Sequence, residues 1–262
     1  MNKPVVSDGT VGKALEVLEQ VSNFGRPVRF TEVLDQSTHP KATLYRLVQT
    51  LVSQGMLNYD DSSQTYSMGL KLVRLAHSAW QQASLAPIAS PVLDQLAQET
   101  QETIHLAQLE SEQVLFVDKK RTTDRFETLA QTGRVAPCHC TGVGKAMLAH
   151  LPDERLAKAI QKQSFEAFTP NTHTNADSLR SELDEIRKSG VAFDREEHEI
   201  GIISIAAPIL DSAGYPMGAM SIATSKSRRS LEELSEFEFN LKNATQKIAQ
   251  TAEAWNFPRT VR

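Results

Sequence analysis

Apolar and polar residues follow a helical period most clearly between Pro40 and Gln54. The apolar positions recur every three or four residues and therefore fall on one side of a helix, namely Leu44, Leu47, Val48, Leu51 and Val52. The other side carries hydrogen-bonding side chains, and no carboxylate occurs between Asp35 and Asp60. The pattern predicts an amphipathic helix whose polar face has no negative charge.

Two helices are predicted before this one. The first starts at Thr10 and stops before Gly25, and its expected buried face comprises Val11, Ala14, Leu15 and Leu18. The second covers residues 31–35, and a turn over residues 37–39 leads to Pro40, which suits the first position of the third helix. Two helices joined by a short turn are typical of the helix-turn-helix arrangement.

The segment after the third helix predicts a β-hairpin and then a long helix. Strand candidates over residues 56–59 and 64–67 flank an acidic turn of small residues, as in the wing of a winged helix. A helix is predicted over residues 70–83, with an apolar stripe formed by Leu72, Val73, Ala76 and Trp80. A small wing domain cannot easily cover this stripe alone, which favours a dimer.

Helices and strands alternate in the remainder of the chain. Further helices are predicted over residues 91–100, 144–150, 153–163, 177–188 and 230–254. Strands are predicted over residues 103–109, 113–119, 191–195, 202–209 and 216–223. Turn residues between the last two strands indicate an antiparallel hairpin, so the pattern favours an α+β fold with a mixed, largely antiparallel sheet.

Proline positions suggest where the domains divide. Pro87 and Pro91 interrupt the helical pattern that begins at residue 70. We therefore expect a winged helix-turn-helix domain over residues 1–69, a linker helix over residues 70–86 and a second domain over residues 87–262.

Charge is distributed unevenly along the 262 residues, whose net charge is −4. Residues 1–75 contain 8 Lys and Arg against 7 Asp and Glu, whereas the remainder contains 20 against 25. The net charge therefore argues against indiscriminate nucleic acid binding by the whole surface, and the uneven distribution favours a local contact near the N-terminus.

The lack of a recognisable targeting signal and the spacing of the cysteines favour a cytoplasmic protein. The N-terminal segment lacks the layout of a signal peptide, and no apolar run reaches the length of a membrane span. Cys138 and Cys140 lie two residues apart, which is poor spacing for a mutual disulfide and fits a reducing compartment.

An acid-free polar helix face suits the major groove of DNA, because phosphates repel carboxylates and base edges need donors and acceptors. Side chains near the start of such a helix reach furthest into the groove, so Thr43 and Arg46 are the expected base or phosphate contacts. The full set of predicted DNA contacts is Arg29, Lys41, Thr43, Tyr45, Arg46 and Gln49. An ordinary solvated helix face and a winged helix that binds protein are the alternatives.

Three stretches, residues 40–47, 137–149 and 194–208, resemble the IclR family of bacterial transcriptional regulators in order and spacing. The resemblance extends over nearly the whole chain. It implies a winged helix-turn-helix, a linker helix and a GAF-like effector-binding domain in a dimer or a dimer of dimers. It also implies a palindromic double-stranded DNA operator of a catabolic operon and a small organic effector, with carboxylates among the candidates. Repression is the commoner outcome in similar proteins, and no enzymatic activity, cofactor or membrane partner is expected.

The resemblance further implies an effector cavity with two walls. The first wall maps to Ala136, Gly142 and Val143, with His139 near it, and the second maps to Asp194, Ile202, Ser204, Ser221 and Ala223. Similar proteins often carry Cys at the position of Ser204 and a second Ser at the position of Ala223. The missing hydroxyl argues against a glyoxylate-like or pyruvate-like ligand and favours a larger or less polar one.

Cys138, His139 and Cys140 could supply metal ligands, with His173 or His198 as a distant fourth. Consecutive extended residues point apart, however, so no metal site is expected. A hydrolase that uses Cys138 and His139, or Asp194, remains the enzymatic alternative.

Residues 142–145 resemble a phosphate loop but lack its spacing, so nucleotide hydrolysis is rejected, whereas open backbone N–H groups could bind a small anion. The charged run over residues 194–198 is expected to be solvated, apart from Asp194.

Overall fold

The computed structural model describes residues 9–121, 128–255 and 257. The chain divides between Ala79 and Trp80 into two compact units. The elements of the first unit are α1 (Thr10–Asn23), α2 (Phe30–Gln36), α3 (Lys41–Ser53), β1 (Leu57–Asp60) and β2 (Thr65–Met68). Helix α4 (Leu70–Ala83) follows them.

The first unit is a winged helix-turn-helix, as the sequence predicts. Helix α3 buries the predicted apolar stripe, and only Val52 of that stripe is half-buried. Strands β1 and β2 form an antiparallel hairpin in which Leu57 pairs with Met68. Val28, before α2, bridges to Tyr66 of β2 and thereby fixes the wing against the helices.

Two predictions about the first unit are wrong in detail. Helix α1 buries Val17, Leu18 and Val21, while Val11 is 74% exposed and Leu15 is 54% exposed. Both faces of α1 carry apolar residues, so the helical period alone could not decide which face meets the core. Pro40 immediately precedes α3 and is not its first residue.

Helix α4 has no buried residue, and its exposed apolar side chains include Leu70, Val73 and Leu75. No Asp or Glu occurs in this helix. Outside Thr122–Glu127 and the chain ends, none of the helices combines the length and apolar character that crossing a bilayer requires.

The second unit is built on a six-stranded sheet. Its strands are β3 (Thr103–Glu110), β4 (Gln113–Lys120), β5 (Val135–Ala136), β6 (Ala192–Arg195), β7 (Ile202–Leu210) and β8 (Pro216–Ser225). They are arranged in the order β5-β4-β3-β8-β7-β6, and each pairing is antiparallel. The α+β class with a largely antiparallel sheet is therefore confirmed.

Helices cover both faces of this sheet. They are α5 (Ala86–Thr100), α6 (Gly142–Leu148), α7 (Asp153–Gln161), α8 (Ala176–Ser189), α9 (Leu231–Ser235) and α10 (Glu238–Ala254). Helices α5 and α10 pack on the face that carries large side chains such as Ile205 and Ile222. Helix α6 packs on the opposite face, where β7 and β8 present small residues such as Ala206 and Ala219.

Three details of this unit differ from the prediction. Helix α5 continues through Pro91, because Pro87 lies in its first turn and Pro91 only one turn later. The single predicted C-terminal helix is two helices, α9 and α10. Strand β5 was missed because it is only two residues long.

Candidate functional site

The polar face of α3 is open to solvent. Lys41, Tyr45, Arg46 and Gln49 are exposed, and Thr43 is half-buried. Because Leu44 and Leu47 anchor the opposite side of the helix in the core, these polar side chains share one outward face. Arg29 is also exposed and directly precedes α2.

Positive charge on this face is available for a partner. Within the described part of the chain, neither Lys41 nor Arg46 makes an ion pair. Tyr45 packs edge-on against Phe30 of α2, with the ring centroids 5.7 Å apart. Gln49 Nε2 donates to the Tyr66 hydroxyl of the wing at 3.4 Å. Neighbouring elements therefore orient the aromatic and amide groups, while the cations remain exposed.

The tip of the wing is acidic. Asp60 accepts hydrogen bonds from the hydroxyls of Ser62 and Ser63, each at 2.7 Å. These bonds, the Ser62 bond first, lower the pKa of Asp60 to about 2. Asp60 and its exposed neighbour Asp61 therefore place negative charge at the end of the hairpin.

A small cavity of about 40 Å³ lies in the second unit, between α6 and the sheet. Its lining includes seven residues that the sequence predicts: Gly142, Val143, Asp194, Ile202, Ser204, Ser221 and Ala223. The lining also contains residues that the prediction missed, among them His105, Phe116, Thr128, Thr141, His198 and Glu199. The cavity exceeds the roughly 10–15 Å³ that one water molecule needs, so it admits a compact ligand.

Ala136 and His139, which were also predicted, do not line this cavity. Ala136 is buried in β5, in the apolar cluster beneath α6. His139 is fully buried between Phe165 and Phe168, and its Nε2 lies 3.2 Å from the carbonyl oxygen of Glu166. His139 lies in the turn that precedes α6, outside the lining of this cavity.

Two glycines allow α6 to pack closely, Gly142 against the sheet and Gly144 against the turn that precedes the helix. A Cβ on Gly142 would lie 3.0 Å from Ser204 Oγ and 3.3 Å from Ala206 Cβ. A Cβ on Gly144 would lie 2.5 Å from the Cα of Cys138, which no side chain could tolerate. The glycines therefore serve packing, and they bring the helix next to the hydroxyl of Ser204.

Asp194 forms the acidic end of the cavity. It pairs with Ser204 across β6 and β7, and its Oδ1 accepts the backbone N–H of Glu197 at 2.8 Å. Burial, followed by the charge of Glu197, raises the pKa of Asp194 to about 7. The carboxyl can thus be protonated or ionised near neutral pH. In the part of the chain that the structure describes, the Ser204 hydroxyl has no hydrogen-bond partner, which leaves it available to a ligand.

His105 forms the opposite end. It lies on β3, where strand alternation places it on the same face as Thr103 and Ala107. Its Nδ1 lies 3.4 Å from Ser221 Oγ, and its Nε2 lies 3.2 Å from Thr128 Oγ1. Burial lowers the pKa of His105 to about 3, so the ring is neutral. A polar residue at an inward strand position was the signal available in the sequence.

Lys145, one helical turn after Gly142, is fully buried next to the cavity wall. Its Nζ donates to both carboxylate oxygens of Glu197, at 2.5 and 2.6 Å, and of Glu182, at 2.9 and 3.0 Å. Glu197 is almost completely buried, so the charged run over residues 194–198 is not the solvated loop that was predicted.

Glu182 belongs to the same network. His173 Nε2 hydrogen-bonds to it, and Arg195 donates to its Oε1 at 2.8 Å. Burial acts to raise the pKa of Glu182, but the bonds from His173 and Lys145 outweigh it and bring the pKa to about 2.

His173, Glu182 and Glu197 place their potential metal-ligating atoms within 4.8 Å of one another. The ammonium group of Lys145 already bonds to both carboxylates. The charges are therefore compensated within the protein, and the arrangement is that of a buried ion-pair network. Burial also raises the pKa of Cys138 and Cys140, which makes either thiol a poor nucleophile or metal ligand.

Both parts of the chain match known families. The IclR helix-turn-helix domain matches residues 10–61, and the C-terminal domain of the bacterial transcriptional regulator IclR matches residues 77–250. The transcriptional repressor IclR of Escherichia coli (strain K12) is 30% identical over 227 residues, which cover 86% of this chain and 83% of that protein.

Solved structures agree with this assignment. The IclR structure from Thermotoga maritima has a TM-score of 0.73 and 27% identity, and the match covers 92% of this chain and 97% of that one. An IclR homolog from Microbacterium hydrocarbonoxydans, complexed with 4-hydroxybenzoate, has a TM-score of 0.80 at 23% identity, with 94% and 100% covered. At that identity the second likeness shows the fold alone.

Proposed function

The chain belongs to the IclR family of bacterial transcriptional regulators, and from this premise we propose that it represses a catabolic operon by binding a palindromic operator under the control of a small organic ligand. The matched domains and relatives are transcriptional regulators, not enzymes, so the hydrolase alternative is set aside.

The observation that carries the proposal is the polar face of α3. Its cations have no acidic partner in the described part of the chain, and its apolar side is fixed in the core. We assign base contacts to Thr43 and Arg46, because they lie near the start of the helix. Arg29, Lys41, Tyr45 and Gln49 would contact phosphates or the edges of the groove. The name of the E. coli relative, a transcriptional repressor, supports the repressive sign.

We assign the effector to the cavity between α6 and the sheet. Ser204 and Ser221 offer hydroxyls there, and Asp194 offers a carboxyl group, while Val143 and Ile202 supply apolar walls. A volume of about 40 Å³ favours a compact ligand, in contrast to the larger one that the missing hydroxyl at Ala223 led us to expect. The Microbacterium homolog complexed with 4-hydroxybenzoate supports a small organic ligand in this fold. Ligand binding would have to favour one conformer to alter operator occupancy.

Self-association is proposed through the exposed apolar residues of α1 and α4. Val11 and Leu15 on α1, and Leu70 and Val73 on α4, are all exposed large apolar side chains. Covering them in a second copy would pair two DNA-binding units and would match a palindromic operator. We also propose a cytoplasmic location, which the two free cysteines fit.

The test is selection of duplex DNA from a random-sequence library with the full-length protein. Enrichment of a palindrome is expected, with an affinity that falls steeply as salt rises because phosphate contacts release counterions. Small acids, alcohols and amides are then screened by thermal shift, and a true effector must also change the affinity for the enriched duplex. Absence of enrichment together with salt-insensitive binding would favour a winged helix that binds protein.

A further inference from the structure

One row of the sheet places a lysine, a histidine and a serine side by side. His105 on β3 pairs with Lys119 on β4 and with Ser221 on β8. Directly paired residues of adjacent strands present their side chains on the same face. The three polar groups therefore face the cavity side together, although they come from distant parts of the sequence.

Thr128 completes the row. Lys119 Nζ donates to Thr128 Oγ1 and to the carbonyl oxygen of Ala130, both at 2.9 Å. Thr128 Oγ1 lies 3.2 Å from His105 Nε2, and His105 Nδ1 lies 3.4 Å from Ser221 Oγ. These contacts form a continuous path from a cation to a hydroxyl group in the cavity lining.

The cation determines the direction of the path. An ammonium group can only donate, so Thr128 Oγ1 accepts from Lys119. The Thr128 hydroxyl hydrogen has two acceptors within 3.2 Å, the carbonyl oxygen of Ala130 and His105 Nε2. The Ala130 oxygen already accepts the shorter bond from Lys119, so we assign the hydroxyl hydrogen to His105 Nε2. An unprotonated Nε2, with its lone pair, also interacts more favourably with the nearby ammonium group of Lys119 than an N–H group would. The ring hydrogen then sits on Nδ1 and donates to Ser221 Oγ, so the Ser221 hydroxyl hydrogen points into the cavity.

We propose that Lys119, Thr128, His105 and Ser221 form a directed chain of hydrogen bonds that presents the Ser221 hydroxyl to the ligand as a donor. His105 is the positioning residue of this chain. The cavity then selects a ligand with an oxygen acceptor at Ser221, above all a carboxylate, over a ligand of equal size that presents a donor there. This inference rests on the proposed role of the cavity as the effector site.

The direction of the chain is tested in the full-length protein without ligand. NMR of the isotope-labelled imidazole rings distinguishes the two neutral tautomers, and a His105 variant assigns the signal. The Nδ1–H tautomer is expected for His105, and Thr128→Val is expected to weaken that preference. A ring that carries its hydrogen on Nε2, or that is protonated at neutral pH, would overturn the chain.

Ligand selection is tested with acetate and acetamide, two probes of nearly equal size. Both offer an oxygen acceptor, but a carboxylate accepts hydrogen bonds about twice as strongly, so the comparison measures the preference for a charged acceptor at Ser221. The wild-type protein is expected to bind acetate about tenfold more tightly. His105→Asn keeps an amide donor near the position of Nδ1 and is expected to retain the preference. His105→Gln places its donor near Nε2, and it should bring the two affinities within about twofold, as Ser221→Ala should.

The paired variants separate positioning from mere packing, because a structural role of the ring would be lost in both. Thermal unfolding checks that each variant folds, and Ser225→Ala, on the same strand outside the cavity lining, serves as the unchanged control. Equal preference in the Asn and Gln variants would refute the positioning role.

If neither probe binds the wild-type protein, the proposed selection of an acceptor ligand is refuted. The NMR measurement of the His105 tautomer still tests the direction of the hydrogen-bond chain independently. Enrichment of an operator duplex by the unliganded protein tests the DNA-binding function independently of both results.

Discussion

The polar face of α3 and the polar cavity of the second unit are built in opposite ways. The polar side chains of α3 come from one helix and are exposed to solvent. In the described part of the chain, the cations Lys41 and Arg46 have no ionic partner. The residues that line the cavity come from five strands, a helix and loops, and several of them are buried and hydrogen-bonded to one another. Contacts on the first surface should therefore act singly, whereas a change in or beside the cavity should affect a network.

The largest effect is expected beside the cavity. Lys145→Met leaves the carboxylates of Glu182 and Glu197 without their shared cation and should reduce the free energy of unfolding by about 3–5 kcal/mol. Urea denaturation measures this loss through the fluorescence of Trp80 and Trp255, which both belong to the second unit.

An exposed ion pair provides the matched control. Lys188→Met removes the pair with Glu185, in which both side chains are more than two-thirds exposed, and should leave the free energy of unfolding nearly unchanged because water screens such a pair. The triple variant K145M/E182Q/E197Q should recover part of the stability lost by Lys145→Met, because it removes the uncompensated charges too. If the two lysine variants lose the same free energy of unfolding, the buried network stabilises the protein no more than the solvated pair does.

The next effect is expected on α3. Arg46→Ala should weaken binding to the enriched operator duplex by about 1–3 kcal/mol, with no change in unfolding. Arg180→Ala, an exposed arginine on α8, is the control and should leave the affinity unchanged. Gel-shift titration at fixed salt measures both. If the two variants bind equally well, α3 does not contact the operator through Arg46.

Two groups in the cavity should make the free energy of unfolding depend on pH in opposite directions. The pKa of Asp194 rises from 3.8 to about 7 on folding, so its contribution to the free energy of unfolding falls as pH rises between these values. The pKa of His105 falls from 6.5 to about 3, so its contribution falls as pH drops below 6.5. Each slope is at most about 1.4 kcal/mol per pH unit.

Comparing the stability of each single variant with that of the wild type isolates the pH dependence that each group contributes. Between about pH 4.5 and 6.5, Asp194→Asn should become more stable relative to wild type as pH rises, and His105→Asn more stable relative to wild type as pH falls. Denaturant titrations across this window measure the differences. Differences that do not vary with pH would mean that neither group has the shifted pKa.

The smallest effect is expected at the wing tip. The double variant D60N/D61N removes two carboxylates from the domain that binds the polyanion and should tighten duplex binding about threefold at low salt, with the gain lost at high salt. Asp184→Asn, an exposed acid on α8, is the control. Weaker binding in the wing variant would indicate that the acidic tip makes a specific contact.

The same contrast explains what the sequence could predict. The face of α3 follows from a local period, because Leu44, Leu47 and Leu51 fix which side chains point outwards. In α1 the period was ambiguous, and the choice depended on contact with α3. Most strands of the second unit were also predictable from local alternation and turn residues.

The cavity was predictable only where the family resemblance supplied it. Nothing local in the sequence brings His105 next to Ser221, since the two residues are 116 positions apart and meet through strand pairing. The burial of Lys145 and Glu197 was missed for the same reason, because each appears in a run that is typical of an exposed turn. Long-range pairing therefore decides the site, and local composition misleads.

The ion pair between Lys145 and Glu197 also fixes the distance between the two walls of the cavity. Lys145 lies three residues after Gly142 on one wall of the cavity, and Glu197 lies three residues after Asp194 on the other. The backbone N–H of Glu197 holds Asp194 as well. The length of one lysine side chain therefore acts as a spacer between the walls, and a ligand that needs a wider cavity must stretch or break this buried contact.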